Sequence, residues 1–261
     1  MKSVKISIIT IVYNDFLNIE KTITSVLSQK YDNLDYILID GGSTDGTNEI
    51  IKKYSQNISV YISETDNGIS DAFNKGIKNA TGQIIAFLNS GDTYNLGTLS
   101  FVNDFYNKTP FKVLCGAIDF YESNNYIKTK YSQPDKLTRE MSINHPSTFI
   151  CSSLLGHDSI FNLNYKYSMD YDFFLKIYLQ KIRFTTVQNI FTKMQLGGVS
   201  GGIHSYKEQL LIQKQLLKGY ELKYQYFFCR RFLIYLISTI LRNTFPNLHL
   251  RLKRLKVVDK L

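Results

Sequence analysis

Residues 84–92 read Ile84-Ile85-Ala86-Phe87-Leu88-Asn89-Ser90-Gly91-Asp92, five apolar residues that stop abruptly at a polar, acidic turn. A strand covered by helices on both faces has this form, apolar throughout and polar only where its end opens. Working outward, Tyr36 to Ile39 ends the same way, in Asp40-Gly41-Gly42-Ser43-Thr44-Asp45-Gly46-Thr47. Two parallel strands that discharge acidic, glycine-containing loops at their carboxyl ends describe a ligand crevice in an open α/β sheet.

The flanking pattern supports this. Lys5 to Val12 is a β-branched apolar run, read as a central parallel strand, and Asn18 to Gln29 carries Ile19, Ile23, Val26 and Leu27 at helical spacing. Thr47 is the expected cap of a helix holding Ile50 and Ile51. Ser59 to Ser63 is a short strand and Asp71 to Asn79 a helix, closed at Thr81-Gly82 by an expected left-handed glycine. This β-α-β-α-β-α-β alternation implies a parallel sheet with right-handed crossovers. Past Asp92, strands are expected at Lys112–Phe120, Tyr126–Tyr131, Ser147–Cys151 and Ile182–Gln188, with helices at Asp170–Gln180 and Tyr206–Tyr220.

Composition bounds the function. At 261 residues and 44% hydrophobic content the chain supports a sizeable core, which excludes a disordered or fibrous protein. Cys115, Cys151 and Cys229 are sparse and without metal-ligand spacing, which points to a reducing compartment. The start, MKSVKISIITIVYN, has no small-residue cleavage site after its apolar run and reads as the first core strand rather than a signal peptide. Charge is unevenly placed. From Lys218 onward ten Lys/Arg face two acids, so this tail holds eight of the nine net positive charges.

The Gly41-Gly42 loop lacks the GxGxxG spacing and no GxxxxGK[ST] occurs, so the common dinucleotide and P-loop readings are weak. What remains is a carboxylate at each of two strand ends, Asp40 and Asp92. Such groups accept from a base or ribose, and together with phosphate oxygens they suit a hard divalent cation such as Mg²⁺ or Mn²⁺. They are also ordinary turn residues.

The strings SIITIVYND, YILIDGGSTDGT and SETDNGISDAFNKGIKNATGQIIAFLNSGD resemble the nucleotide-sugar half of a family 2 glycosyltransferase, in particular those that assemble bacterial surface polysaccharides. The likeness is close over residues 4 to 95 and looser to about residue 205. It implies a GT-A fold: an α/β, Rossmann-like, mostly parallel sheet flanked by helices, here with a basic helical C-terminal extension. Residues 1–217 would form the transferase domain, with 1–95 as the donor half and 96–217 as the acceptor half. Residue by residue, Ile11 and Tyr13 would line the base pocket beside Asp40. The family often has a second aspartate where Gly41 stands, so the base contact shifts to Asp40 or Asp66. Asn67, Gly68 and Asp71 match the segment that covers the nucleotide, and Phe73 replaces that segment's arginine. Asn89, Ser90, Gly91 and Asp92 occupy the DxD-type acidic motif, thinned to one carboxylate, with Asp92 as the metal ligand for Mg²⁺ or Mn²⁺.

An inverting transfer also needs a base that deprotonates the acceptor hydroxyl. The resemblance assigns this to Asp170, with Asp172 second, in Ser168-Met169-Asp170-Tyr171-Asp172. A plain helix start also places an acid there. His145, in Asn144-His145-Pro146-Ser147, resembles an acceptor-side histidine, although a lone histidine is commonly structural. Gly197-Gly198-Val199-Ser200 resembles a loop near the diphosphate. Tyr165 and Tyr167 are candidates for sugar stacking or for the core.

In the tail, Phe232 to Leu241 is a ten-residue, mostly apolar run bracketed by Arg230-Arg231 and Arg242. It is too short to span a bilayer, which needs about 20 residues. It suits a helix lying in the interface with its cations on anionic headgroups, or an amphipathic helix packed on the body. The first option fits a cytoplasmic enzyme peripheral to the inner face of the cell membrane. Its partners would be a UDP-sugar donor and a glycan or lipid-linked glycan acceptor. Basic residues interleaved with so apolar a run argue against nucleic acid as partner. A sugar nucleotidyltransferase would show a basic, glycine-rich loop near the first strand, and residues 10 to 18 carry no Lys or Arg. An inactive membrane-associated scaffold is the non-enzymatic alternative.

Overall fold

The structure, a computed structural model, describes residues 3–122, 124–156, 160–195 and 203–218, together with four single positions in the tail. It forms two compact units, Met1–Val199 and Ser200–Leu261. The second contains one described helix, α6 (Ile203–Leu216).

The first unit is built on one nine-stranded sheet. Its first half follows the expected alternation: β1 (Ile6–Val12), α1 (Ile19–Leu27), β2 (Leu34–Asp40), α2 (Thr47–Lys52), β3 (Val60–Ser63), α3 (Ile69–Asn79) and β4 (Ile84–Phe87). β1 is buried at every position, as its apolar run demands of a central strand. β3, β2, β1 and β4 are adjacent and parallel. Their carboxyl ends therefore lie along one edge, where the loops after β1, β2 and β4 meet.

The remaining elements are β5 (Thr93–Tyr94), α4 (Thr98–Lys108), β6 (Val113–Glu122), β7 (Asn125–Lys130), β8 (Thr148–Cys151), α5 (Met169–Leu179) and β9 (Phe184–Gln195). β8 enters antiparallel to β4 and to β6, whereas β9 runs parallel to β6. Two reversals restore the original direction, so β6 also ends at the edge where those loops meet. The sheet is thus parallel in its first half and mixed in its second. α4 and β5 have no counterpart in the sequence pattern, and β9 is longer than expected. Two local expectations change as well. Thr47 is the first residue of α2 and its hydroxyl donates to Asp45 Oδ1 at 2.6 Å, while Gly46 with φ 94° is the cap. Gly82 is not left-handed; a Cβ there would lie 2.6 Å from the Ser7 backbone nitrogen, so only glycine lets the two backbones approach.

Candidate active site

The loops at the crevice edge are clasped to one another by side chains. Asn14 Oδ1 accepts from the Thr44 amide at 2.8 Å, and the Asn14 amide donates to Ser43 Oγ at 2.7 Å. The Phe16 amide donates to Asp45 Oδ2 and the Asp15 amide to Thr47 Oγ1, both at 3.0 Å. The loop after β1 and the loop after β2 are therefore one unit.

Asp40 is fully buried. Its carboxylate accepts from the Gly42 and Ser43 amides, Ser43 Oγ and Ser63 Oγ, so it shapes the loop rather than projecting from it. Asp66 behaves differently. A Cβ at Gly41 would fall 2.7 Å from Asp66 Oδ2 and 3.4 Å from the Tyr13 ring. The space that a second aspartate side chain would take after β2 is thus filled by a carboxylate arriving from the next loop. Asp66 is held in place by the Gly68 amide, which donates to Oδ1 at 2.8 Å. Tyr13 is 65% exposed beside it, an unpacked aromatic face next to an acid, and Ile11 lies buried two residues earlier on β1. Asp71, in the first turn of α3, accepts from the Asn67 amide at 3.0 Å; that bond, with the Lys75 charge, holds its carboxyl below the usual range. Gly68 turns the chain with φ 98°. Asn67, Gly68 and Asp71 thus set the Asp66 loop.

The Asn89–Asp92 turn is held from below by α1. Thr22 Oγ1 accepts from the Gly91 amide at 3.0 Å and donates to the Asp92 carbonyl at 2.8 Å. Ser25 Oγ accepts from the Tyr94 amide, and Gln29 Nε2 donates to the Asn95 carbonyl. Thr22, Ser25 and Gln29 recur at helical spacing, a polar seam that the sequence reading passed over in favour of the apolar stripe beside it. Asp92 is 5% exposed and its carboxylate makes no hydrogen bond to a described residue; burial pushes its pKa up to about 8. Asn89 Oδ1 is buried without a partner. Ser90 Oγ donates to Asp15 Oδ2 at 2.7 Å, and Gly91, at φ 95°, faces the same carboxylate oxygen. A buried carboxyl and a buried amide oxygen on one turn are hard-oxygen donors of the type that Mg²⁺ or Mn²⁺ takes. No cluster of three or more His, Cys, Asp or Glu exists among the described residues, so further ligands to such an ion would have to come from a bound diphosphate.

On the second half of the sheet, Asp172 is buried and ion-paired to Lys176 at 2.6 Å, which makes it a structural acid of α5. Asp170 is partly exposed in the first turn of the same helix. His145 lies in an aromatic box of Phe73, Phe87, Phe161 and Phe174, with ring centroids 5.0–6.1 Å away. Its Nε2 has no partner among the described residues, and burial lowers its pKa to about 4. Phe73, at the position of the family's arginine, is one wall of that box. Tyr165 is buried, which assigns its ring to packing. Residues 197–202 and the tail from 219 onward lie outside the described residues, apart from its four single positions. A surface cleft of about 420 Å³, lined in part by Tyr178, Lys181, Arg183 and Phe184, sits at the start of β9 and includes none of the candidate residues.

A crevice at the carboxyl ends of parallel strands, on a sheet that turns from parallel to mixed, is the arrangement of the GT-A fold. The chain belongs to glycosyl transferase family 2, whose profile matches residues 7–207. It is similar to the minor teichoic acid biosynthesis protein GgaB of Bacillus subtilis, 30% identical over 169 residues, which are 61% of this chain and 19% of that protein. The chain therefore spans about a fifth of that relative's length. Among solved structures it superposes on S. aureus TarS 1-349 in complex with UDP-GlcNAc, with TM-score 0.65, 20% identity, and coverage of 81% of this chain and 65% of that one. The mannosyltransferase PcManGT from Pyrobaculum calidifontis, in complex with GDP-Man and Mn²⁺, follows with TM-score 0.58, 16% identity, and coverage of 83% and 62%.

Proposed function

We propose that this protein transfers a sugar, with inversion, from a UDP-sugar to a hydroxyl of a glycan acceptor during synthesis of a cell-surface polysaccharide. The observation that carries the reading is the convergence of Tyr13, Gly41 and Asp66 beside the Asn89–Asp92 turn at one sheet edge. A base needs a flat face and an edge partner. Tyr13 offers the first, and the Asp66 carboxylate accepts from an N–H such as that of uracil. Binding of UDP-GlcNAc by TarS and of GDP-Man with Mn²⁺ by PcManGT supports the donor class.

Asp92, with Asn89 on the same turn, is the chain's contribution to a metal site. Bound there, Mg²⁺ or Mn²⁺ would draw charge off the departing diphosphate. Ser90 and Gly91 present backbone close to the phosphates, and Asp15 fixes Ser90. Asp170 removes the proton of the acceptor hydroxyl as its oxygen attacks the anomeric carbon and the bond to the diphosphate breaks. Asp172 holds the helix on which Asp170 sits. His145 supports the acceptor side from within the aromatic box.

Residues 1–217 carry this chemistry, and 218–261 dock the enzyme on the inner membrane surface, where a lipid-linked acceptor would present itself. No helix among the described residues is long and apolar enough to cross a membrane.

Thermal denaturation with UDP and Mn²⁺ tests the reading. A raised melting temperature that Asp92→Ala abolishes is expected. No shift with any nucleoside diphosphate would defeat it in favour of an inactive scaffold. Deleting residues 222–261 should move the protein out of the membrane fraction; an unchanged distribution refutes the docking role.

A further inference from the structure

The turn that holds Asp92 continues into β5, and strand register carries its neighbour across the sheet. Thr93 pairs with Lys193 on β9, Lys193 with Asp119 on β6, and Asp119 with Thr129 on β7. Directly paired residues project to one face, so these four make a row that starts one residue from Asp92. Three strand spacings of about 4.8 Å make the row roughly 14 Å long. Two residues further along β6, past a register shift after Phe120, Tyr121 pairs with Tyr126. Their rings meet edge to face with centroids 6.0 Å apart, and Tyr126 is 56% exposed. Lys193 Nζ stands 6.0 Å from the Tyr121 ring centre and makes no ion pair with a described residue. Asp119 accepts from Thr129 Oγ1, whose oxygen also meets the Tyr126 hydroxyl at 2.9 Å.

Core packing accounts for none of this. β6 and β9 run on past the short β8, which pairs with β6 only from Val113 to Cys115, and the excess length supports this face. A lipid surface would select an apolar cluster with several cations, and here, among the described residues of the row, one ammonium and one carboxylate flank two tyrosines. Exposed aromatic rings interleaved with hydroxyl, ammonium and carboxylate groups suit the apolar face and hydroxyl rim of a pyranose.

We propose that Tyr121, Tyr126, Lys193 and Asp119 form an acceptor subsite that binds an oligosaccharide stretch two or more sugars from the bond being made. This rests on the transferase reading and names the acceptor class, a pyranose chain rather than a lone lipid headgroup. The chain has no tryptophan, so Tyr126→Trp installs a single indole reporter on the full-length protein. The probes are the tetramers of β-1,4-N-acetylglucosamine, β-1,4-glucose and α-1,4-glucose. At least one is expected to change the indole emission saturably. Tyr121→Ala in that background should weaken the response about tenfold, or 1.4 kcal/mol, with the UDP–Mn²⁺ melting shift unchanged in both variants. No saturable change with any tetramer, in protein that still shows the UDP shift, overturns the subsite. A response to anionic phospholipid vesicles alone overturns it in favour of a membrane contact. Loss of the UDP shift in the unsubstituted protein overturns the transferase reading instead.

Discussion

His145 should make this protein acid-sensitive in a way a single substitution removes. The imidazole is 8% exposed inside four aromatic rings, and no described carboxylate pairs with it. Burial alone lowers its pKa from 6.5 to about 4. Between those values the unfolded chain binds a proton that the folded one refuses, so stability rises with pH across the window and is complete above 6.5. Protonation of the unfolded state at pH 4.5 then costs about 2.5 kcal/mol relative to pH 7.5.

Replacing His145 by phenylalanine keeps the ring and removes the proton site. Near neutral pH the variant should fall within about 1 kcal/mol of the parent, since an unpartnered Nε2 contributes nothing that phenylalanine lacks. Urea denaturation at pH 7.5 and 4.5, followed by far-UV dichroism, measures both proteins at both values. The variant's advantage should grow by about 2.5 kcal/mol on acidification. Carboxyls held low by hydrogen bonds, such as Asp71 and Asp45, weaken both proteins together and cancel in the difference. A stability difference that does not move with pH refutes the argument that the box excludes the charged imidazole.

Other outcomes follow from the same geometry. Thr22→Val removes the hydroxyl that bridges the Gly91 amide and Asp92 carbonyl; it should cost about 1–3 kcal/mol and reduce the UDP–Mn²⁺ melting shift more than Thr24→Val does. Asp170→Asn should slow transfer by roughly 10²–10⁴-fold while nucleotide binding persists, and undiminished turnover would remove it as the base. Asp172→Asn should instead lower the melting temperature by breaking the Lys176 pair. Gly82→Ala drives a methyl into the Ser7 and Ile84 backbones and should cost about 2–3 kcal/mol, read by urea denaturation.

The first half of the sheet was legible because β1, β2 and β4 are buried almost throughout. Apolar runs such as Ile84–Leu88 and Ile6–Val12 need no context to be read, and glycine-rich acidic ends mark where they open. α4 was missed because Leu99 and Val102 alone among its side chains face the core with Thr98, while Phe101, Phe105 and Tyr106 are only partly buried, which blurs the helical period. β5 is two residues long and exists through its pairing with β9 and its anchoring to α1, neither of which is local in sequence. Thr47 looked like a cap because its residue type favours that place, yet Gly46 adopts the left-handed turn and Asp45 takes the hydroxyl. The polar seam of α1 was visible as Thr22, Ser25 and Gln29, but polar residues on a helix ordinarily face water. Only the position of the Asn89–Asp92 turn shows what they hold.

At Gly41 and Phe73, two of the positions where the resemblance leads one to expect another residue, neighbouring side chains fill the space. Gly41 lacks the aspartate side chain, and Asp66 stands where that side chain would reach, at a distance that excludes even a methyl group. Phe73 lacks the arginine, and the site is closed by aromatic rings around a neutral His145, a box that would be hard to form beside a guanidinium. Gly91 lacks an acid, and Asp15 lies next to it, bonded to Ser90. Asp66 against Gly41 is the strictest case, since a side chain added at Gly41 would meet the Asp66 carboxylate at 2.7 Å. Gly41→Asp alone should therefore abolish the UDP shift, and Gly41→Asp with Asp66→Gly should restore it. Failure of the pair to recover binding, in protein that remains folded, would mean that Asp66 does not stand in for the missing acid.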